Sequence, residues 1–111
     1  MRVVRKEARR NSSYNNLKIE HLASKGGLRT MIVEIPPGAS IGEPHSHEGE
    51  ESHLVLEGKI LAEQGEDSFI VEEGDSFSWN ASVPHYVKNI GEDKAMIFIS
   101  IYSDTELKDV L

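Results

Sequence analysis

The sequence predicts an all-β chain folded as a barrel or sandwich. Three observations carry this expectation. Short runs of apolar or alternating residues recur along the chain, glycine and proline clusters separate them, and no segment outside the last few residues has helical periodicity. A first strand is expected at 17–23, followed by a turn at Gly26-Gly27 and a second strand at 28–35. Pro36-Pro37-Gly38 ends that strand, because proline withdraws a ladder donor and fixes its own φ. Further strands are read at 51–57, 59–64, 68–72, 76–80, 85–89 and 94–102. Turns fall at Gly65-Glu66-Asp67, Glu73-Gly74-Asp75 and Gly91-Glu92-Asp93. Neither an internal repeat nor a low-complexity tract interrupts this pattern. One domain over 17–111 is expected, preceded by a basic arm over 1–16.

A chain of 111 residues buries a real but modest core. It has no cysteine, which excludes a disulfide framework and a thiolate metal site, and a cytoplasmic setting is the default. No run is long and apolar enough to span a bilayer, and residues 1–16 lack the apolar segment of a secretion signal. A soluble protein is expected, with no membrane partner. Five of the twelve basic residues, Arg2, Arg5, Lys6, Arg9 and Arg10, lie in the first ten positions beside Glu7. That stretch carries +4 and leaves −11 for the remainder of a −7 chain, which is a poor nucleic-acid surface. The basic arm reads as a solvated charge run. The last strand, AMIFISIY at 95–102, is apolar on both faces, so one face is left over after the interior is filled. Ile99 and Ile101 are the candidates for that outward face. A second copy would cover it, or residues 1–20 would fold back over it.

The chemistry is concentrated in two stretches. PHSHEGEESHLVLEG at 44–58 holds His45, His47, Glu51 and Gly58, and GDSFSWNASVPHYVKN at 74–89 holds Gly74, His85 and Asn89. His45, His47 and Glu51 share strand parity and fall on one face. A single strand does not surround an ion, so a partner strand must complete any site, and His85 is placed to do so. These stretches resemble the two motifs of the cupin superfamily, G-x5-H-x-H-x3 or 4-E-x6-G and G-x5-P-x-G-x2-H-x3-N. The resemblance covers 38–89 and implies a double-stranded β-helix, a jelly-roll-like barrel. The fifteen residues between Gly58 and Gly74 are similar to the short spacing of compact microbial cupins. Departures are confined to backbone positions: Ala39 stands where the first glycine is expected, and Asn80 and Ser82 replace the proline and second glycine.

What the resemblance implies is a metal held by His45, His47, Glu51 and His85. Three imidazoles and one carboxylate suit a divalent transition metal, whether Fe, Mn, Ni, Co, Cu or Zn, and leave positions open for a small molecule. His53 shares the parity of Glu51 and should face the interior, either hydrogen-bonding Glu51 or touching a ligand. Trp79 and Tyr86 are the other candidate ligand-binding groups, with core packing as the alternative for each. His21 reads as a hydrogen-bonded core or surface histidine. The phrases VVRKEARR, PHSHEGEE, LVLEG and GDSFSWNASVPHYVKN are similar to the C-terminal sensor domains of bacterial helix-turn-helix regulators. The sequence has no helix-turn-helix, so specific DNA binding by this chain alone is not expected. Two functions follow: a sensor that binds a small polar metabolite in the barrel, or a metal-dependent enzyme such as a dioxygenase or isomerase. No dedicated acid–base pair stands out beside the ligand set, which favours the sensor. Cupins often dimerise by packing sheets together, so a homodimer is implied as well.

Overall fold

The computed structural model describes residues 1–41 and 48–103, and in it two antiparallel sheets face each other across an apolar interior. Among the described residues there are nine strands: β1 (Arg10–Tyr14), β2 (Leu17–His21), β3 (Leu28–Ile35), β4 (Glu50–Glu57), β5 (Lys59–Gln64), β6 (Asp67–Glu72), β7 (Ser76–Asn80), β8 (His85–Asn89) and β9 (Ala95–Tyr102). The larger sheet runs β1-β2-β3-β9-β4-β7 and the smaller β6-β5-β8. This is the all-β, jelly-roll arrangement the motifs imply.

Alternation drives the packing. In β9 the residues Ala95, Ile97, Ile99 and Ile101 are buried, while Met96, Phe98 and Ser100 are only partly covered. Register carries the same face across the sheet, with Met31 opposite Ile99 and Ile99 opposite His53. Val33, Ile35, Val55 and Ile97 from the larger sheet close on Ile60, Ala62 and Val87 from the smaller one. Each fully buried aliphatic side chain contributes roughly 1.5–3 kcal/mol of transfer free energy, so this stripe is the main source of stability. The expectation that Ile99 or Ile101 faces outward is corrected: both are buried, and the apolar outer band is Ile32, Phe98 and Leu54, which register as direct neighbours.

Residues 38–41 add a short ribbon beside β8. Asn89 donates its N–H to Ala39 O at 2.9 Å, Ile41 donates to Val87 O at 2.9 Å, and Ser40 bridges Lys88. Buried Asn89 then ties the chain together through its side chain: Nδ2 donates to Ile35 O at 2.8 Å and to Asp93 O at 2.9 Å, and Oδ1 accepts from Gly91 N at 2.8 Å. A buried amide with its donors and acceptor matched in this way holds the end of β3 to the β8–β9 turn.

β1 is the one strand absent from the sequence reading. RNSSY has no apolar face and pairs only at the sheet edge, so hydrophobic periodicity has nothing to detect. Its signal is the turn: Asn15 and Asn16 both take positive φ, 46° and 69°, between paired Tyr14 and Leu17. That is the backbone of a two-residue hairpin turn, which favours asparagine. β1 extends the sheet sideways from β2 and does not lie over the outer band of Ile32, Phe98 and Leu54.

Candidate metal and ligand site

Strand parity sends Glu51 and His53 of β4 into the interior next to Phe77 and Trp79 of β7, which face them in register. From the opposite sheet, His85 begins β8 with its side chain turned inward. Glu51, His53 and His85 are almost completely buried, so their polar atoms must be satisfied inside the protein or by a ligand.

The two oxygens of Glu51 meet different surroundings. Oε1 accepts from His53 Nε2 at 2.7 Å and from Trp79 Nε1 at 3.0 Å. Oε2 lies 3.8 Å from His85 Nε2, on the other sheet. His85 Nδ1 sits 3.0 Å from Val83 O. A carbonyl only accepts, so Nδ1 carries the hydrogen and a neutral ring turns a lone pair at Nε2 toward Glu51. By the same logic His53 donates from Nε2, and its Nδ1 is buried without a hydrogen-bond partner among the described residues. Aromatic rings pack the assembly. His53 stacks on Phe77 with centroids 4.6 Å apart, and Trp79 lies 5.0 Å from both Phe77 and His85.

Two of the four expected donors, Glu51 Oε2 and His85 Nε2, are of types that a divalent metal accepts. A carboxylate oxygen and an imidazole lone pair 3.8 Å apart are too far for a hydrogen bond and close to the span set by one ion with bonds of about 2.0–2.2 Å to each. The carbonyl behind His85 and the two donors behind Glu51 are the kind of outer contacts that orient metal ligands. His45 and His47, the other two expected ligands, lie outside the described residues. Among the described residues no group of three or more His, Cys, Asp or Glu is arranged to hold a metal.

A cavity of about 320 Å³ opens beside this cluster, between the free edges of β6 and β7. Phe77 and Trp79 form one wall, Phe69 and Val71 the other, and Ala62 and Gln64 of β5 lie between them. Trp79 therefore touches the cavity while holding Glu51.

A family model described as a cupin domain matches residues 31–102, which takes in most of β3, every strand from β4 to β9 and both motif stretches. The chain belongs to the cupin family. Over 76 residues this cupin is 37% identical to the HTH-type transcriptional regulator PuuR of Escherichia coli, and equally to that of Shigella flexneri; the match covers 67% of this chain. The chain spans about two fifths of those regulators' length, 40%. Among solved structures it resembles an RmlC-like cupin from Shewanella frigidimarina (TM-score 0.82, 19% identity, 96% of this chain and 94% of that one). A predicted oxalate decarboxylase from Thermotoga maritima gives a TM-score of 0.80 at 24% identity over 92% of this chain and 99% of that one. An HTH_3 family transcriptional regulator from Vibrio cholerae gives 0.68 at 21% identity over 78% of this chain and 51% of that one. These structural likenesses show the cupin fold. Among the described residues no helix is long and apolar enough to cross a membrane.

Of the residues singled out in the sequence, the structure brings Glu51, His53, Trp79 and His85 together. Tyr86 is not among them. It alternates with His85 along β8 and so faces away from the interior, paired with Glu63 on the outer side. His21 is buried at the end of β2, where Nε2 meets Ser12 Oγ at 2.8 Å, consistent with a hydrogen-bonded role. Phe77 joins the Glu51 cluster, although neither motif marks it. Its signal is parity, because Phe77 and Trp79 occupy the same face of one short strand.

Proposed function

We propose that this cupin is a metal-binding sensor domain that takes a small polar metabolite into the barrel beside Glu51 and His85. The observation carrying the proposal is the preorganised pair: Glu51 held on Oε1 by His53 and Trp79, with Oε2 3.8 Å from a tautomer-locked His85. With His45 and His47 from the motif, these residues would hold one divalent transition metal. That ion, when bound, supplies a Lewis-acid contact for a polar or anionic group of the metabolite. His53 and Trp79 orient the carboxylate, and the cavity between β6 and β7 admits the ligand. Relationship to the PuuR regulators supports a sensing role, and that role implies a cytoplasmic protein whose signal is read out by a separate DNA-binding domain. The outer band at Phe98 supports a homodimer.

The test has two stages. Elemental analysis of protein purified without chelator should find about one transition metal per chain, and His47→Ala or His85→Ala should remove most of it. Full occupancy in a His45→Ala/His85→Ala double variant would put the metal elsewhere. A thermal-shift screen of small acids, amines, sugars and amino acids follows. A sensor ligand at a hundredfold excess over its Kd adds roughly 2.7 kcal/mol of stability and is recovered unchanged. Metal-dependent turnover of a hit, lost in Glu51→Ala, would replace the sensor with an enzyme such as a dioxygenase or isomerase.

A further inference from the structure

We infer that Gln64 is a positioning residue for His85: from the wall of the β6–β7 cavity it clasps the turn that carries the carbonyl fixing the His85 ring. The inference rests on the reading of His85 as a site residue. Gln64 ends β5 and is registered opposite His85, the first residue of β8. That pair is the last of the ladder, and Pro84, the next residue on that side, has no N–H to add to it. The Gln64 side chain carries the attachment one step further. Its Nε2 donates to Asn80 O at 2.8 Å and to Val83 O at 3.2 Å, in the turn that joins β7 to β8. Both neighbours are carbonyls, which only accept, so the atom between them is the amide nitrogen and both of its hydrogens are engaged.

Without that clasp the turn is closed weakly. Val83 N reaches Asn80 O at 3.3 Å, a long bond, and the Asn80 side chain is engaged by Ser82, accepting from its N at 2.9 Å and its Oγ at 2.6 Å. Ala81 N donates to Gly49 O at 2.7 Å, which fastens the start of the turn beside the larger sheet. Gln64 fastens its far end, at Val83, to the smaller sheet. Val83 O accepts from Gln64 Nε2 and from His85 Nδ1, the latter at 3.0 Å, so one carbonyl with two lone pairs joins the two side chains. Where that carbonyl sits decides which nitrogen of His85 keeps the hydrogen, and therefore that the lone pair lies at Nε2, facing Glu51. Trp79, on the wall of the same cavity, holds Glu51 Oε1 at 3.0 Å. Each member of the Glu51–His85 pair is thus steadied by a residue that lines the cavity, Glu51 directly and His85 through a backbone carbonyl. Gln64 is half-buried and uncharged, so replacing it alters the turn and leaves the aliphatic core intact.

The test reads the His85 ring directly. Long-range 1H–15N spectra of 15N-histidine-labelled, chelator-treated full chain are recorded in mildly alkaline buffer, with the His85 signals assigned by their loss in His85→Gln. The wild-type ring should be a single Nδ1–H tautomer. Gln64→Met keeps the length of the side chain and removes both donors, and it should shift His85 to a mixture of tautomers. Gln64→Glu sets a carboxylate against two carbonyls and should shift it at least as far. Gln64→Lys returns a donor and should restore the wild-type pattern, and Glu63→Gln, on the outer side of β5, should change nothing. A role confined to stability would lower the Tm of Gln64→Met and leave the tautomer alone, which would overturn the inference. So would a wild-type ring already exchanging between tautomers, a result that needs no variant. Calorimetric titration with Zn2+ alone separates this inference from the metal reading. If the wild type binds, Gln64→Met should bind about tenfold more weakly, the lower end for residues that orient a metal ligand, and equal affinity would overturn the positioning role. A wild-type chain that takes up no Zn2+ would remove the metal reading and leave the tautomer spectra to decide the role of Gln64.

Discussion

Glu51 divides its two oxygens between two tasks, one anchored by donors on its own sheet and the other turned toward the facing sheet. Removing a donor from such a buried carboxylate leaves charge less well compensated in a place water does not reach. His53→Leu is therefore expected to lower stability by about 1.5–3 kcal/mol, the range for a hydrogen bond to a charged group, and to reduce metal uptake by releasing Glu51. Urea unfolding checks the first effect and elemental analysis the second; an unchanged unfolding midpoint would show that the His53 contact carries little. The hydrogen bond between His53 and Glu51 was readable in advance, since two residues apart on a strand means one face. Tyr86 illustrates the same rule in reverse. One residue from an inward-facing His85, it belongs to the other side, and parity outweighs proximity in sequence. What no reading of strand parity supplies is Trp79 donating to the same oxygen as His53, because that depends on the β4–β7 register.

At the scale of elements, strands with an apolar pattern were legible and the strand without one was not. β3, β5, β7 and β8 fall at the expected residues, and β2, β4, β6 and β9 differ only at their ends. Each of them carries an alternating or continuous apolar pattern, although Val71 is the one buried residue of β6 and the apolar residues of β7 are half-buried. β1 gains no such burial, and only the asparagine pair in its turn advertises it. Gly58 illustrates how a motif glycine serves an element boundary. It follows the irregular register between Val55 and Glu57 of β4, adopts φ of 96°, and a Cβ there would stand 2.9 Å from the Cα of Ala95. Gly58→Ala thus combines an unfavourable backbone conformation with a backbone collision. A loss of at least about 1–3 kcal/mol is expected from the conformation alone, measurable as a lower Tm; an unaltered Tm would mean that β4, β5 and β9 adjust without strain.

For the whole molecule, the six-stranded sheet turns a row of partly exposed apolar residues outward. Ile32, Phe98 and Leu54 form a continuous row there, and β1 lies too far to the side to cover it. The protein is expected to be a dimer through this row. Phe98→Glu should shift it to monomer by placing an unpaired charge in an apolar contact, whereas the inward-facing Ile99 and Ile101 would respond to the same change by unfolding. Light scattering distinguishes these outcomes, and a wild-type monomer at micromolar concentration would remove the dimer altogether. The position of Trp79 has a practical side as well. It is the chain's single tryptophan, hydrogen-bonded to Glu51 on one side and exposed to the β6–β7 cavity on the other. The tryptophan fluorescence of this protein consequently originates from one indole at the candidate site, so a metal that quenches it or a metabolite that displaces it can be followed in the unmodified chain without attaching any dye.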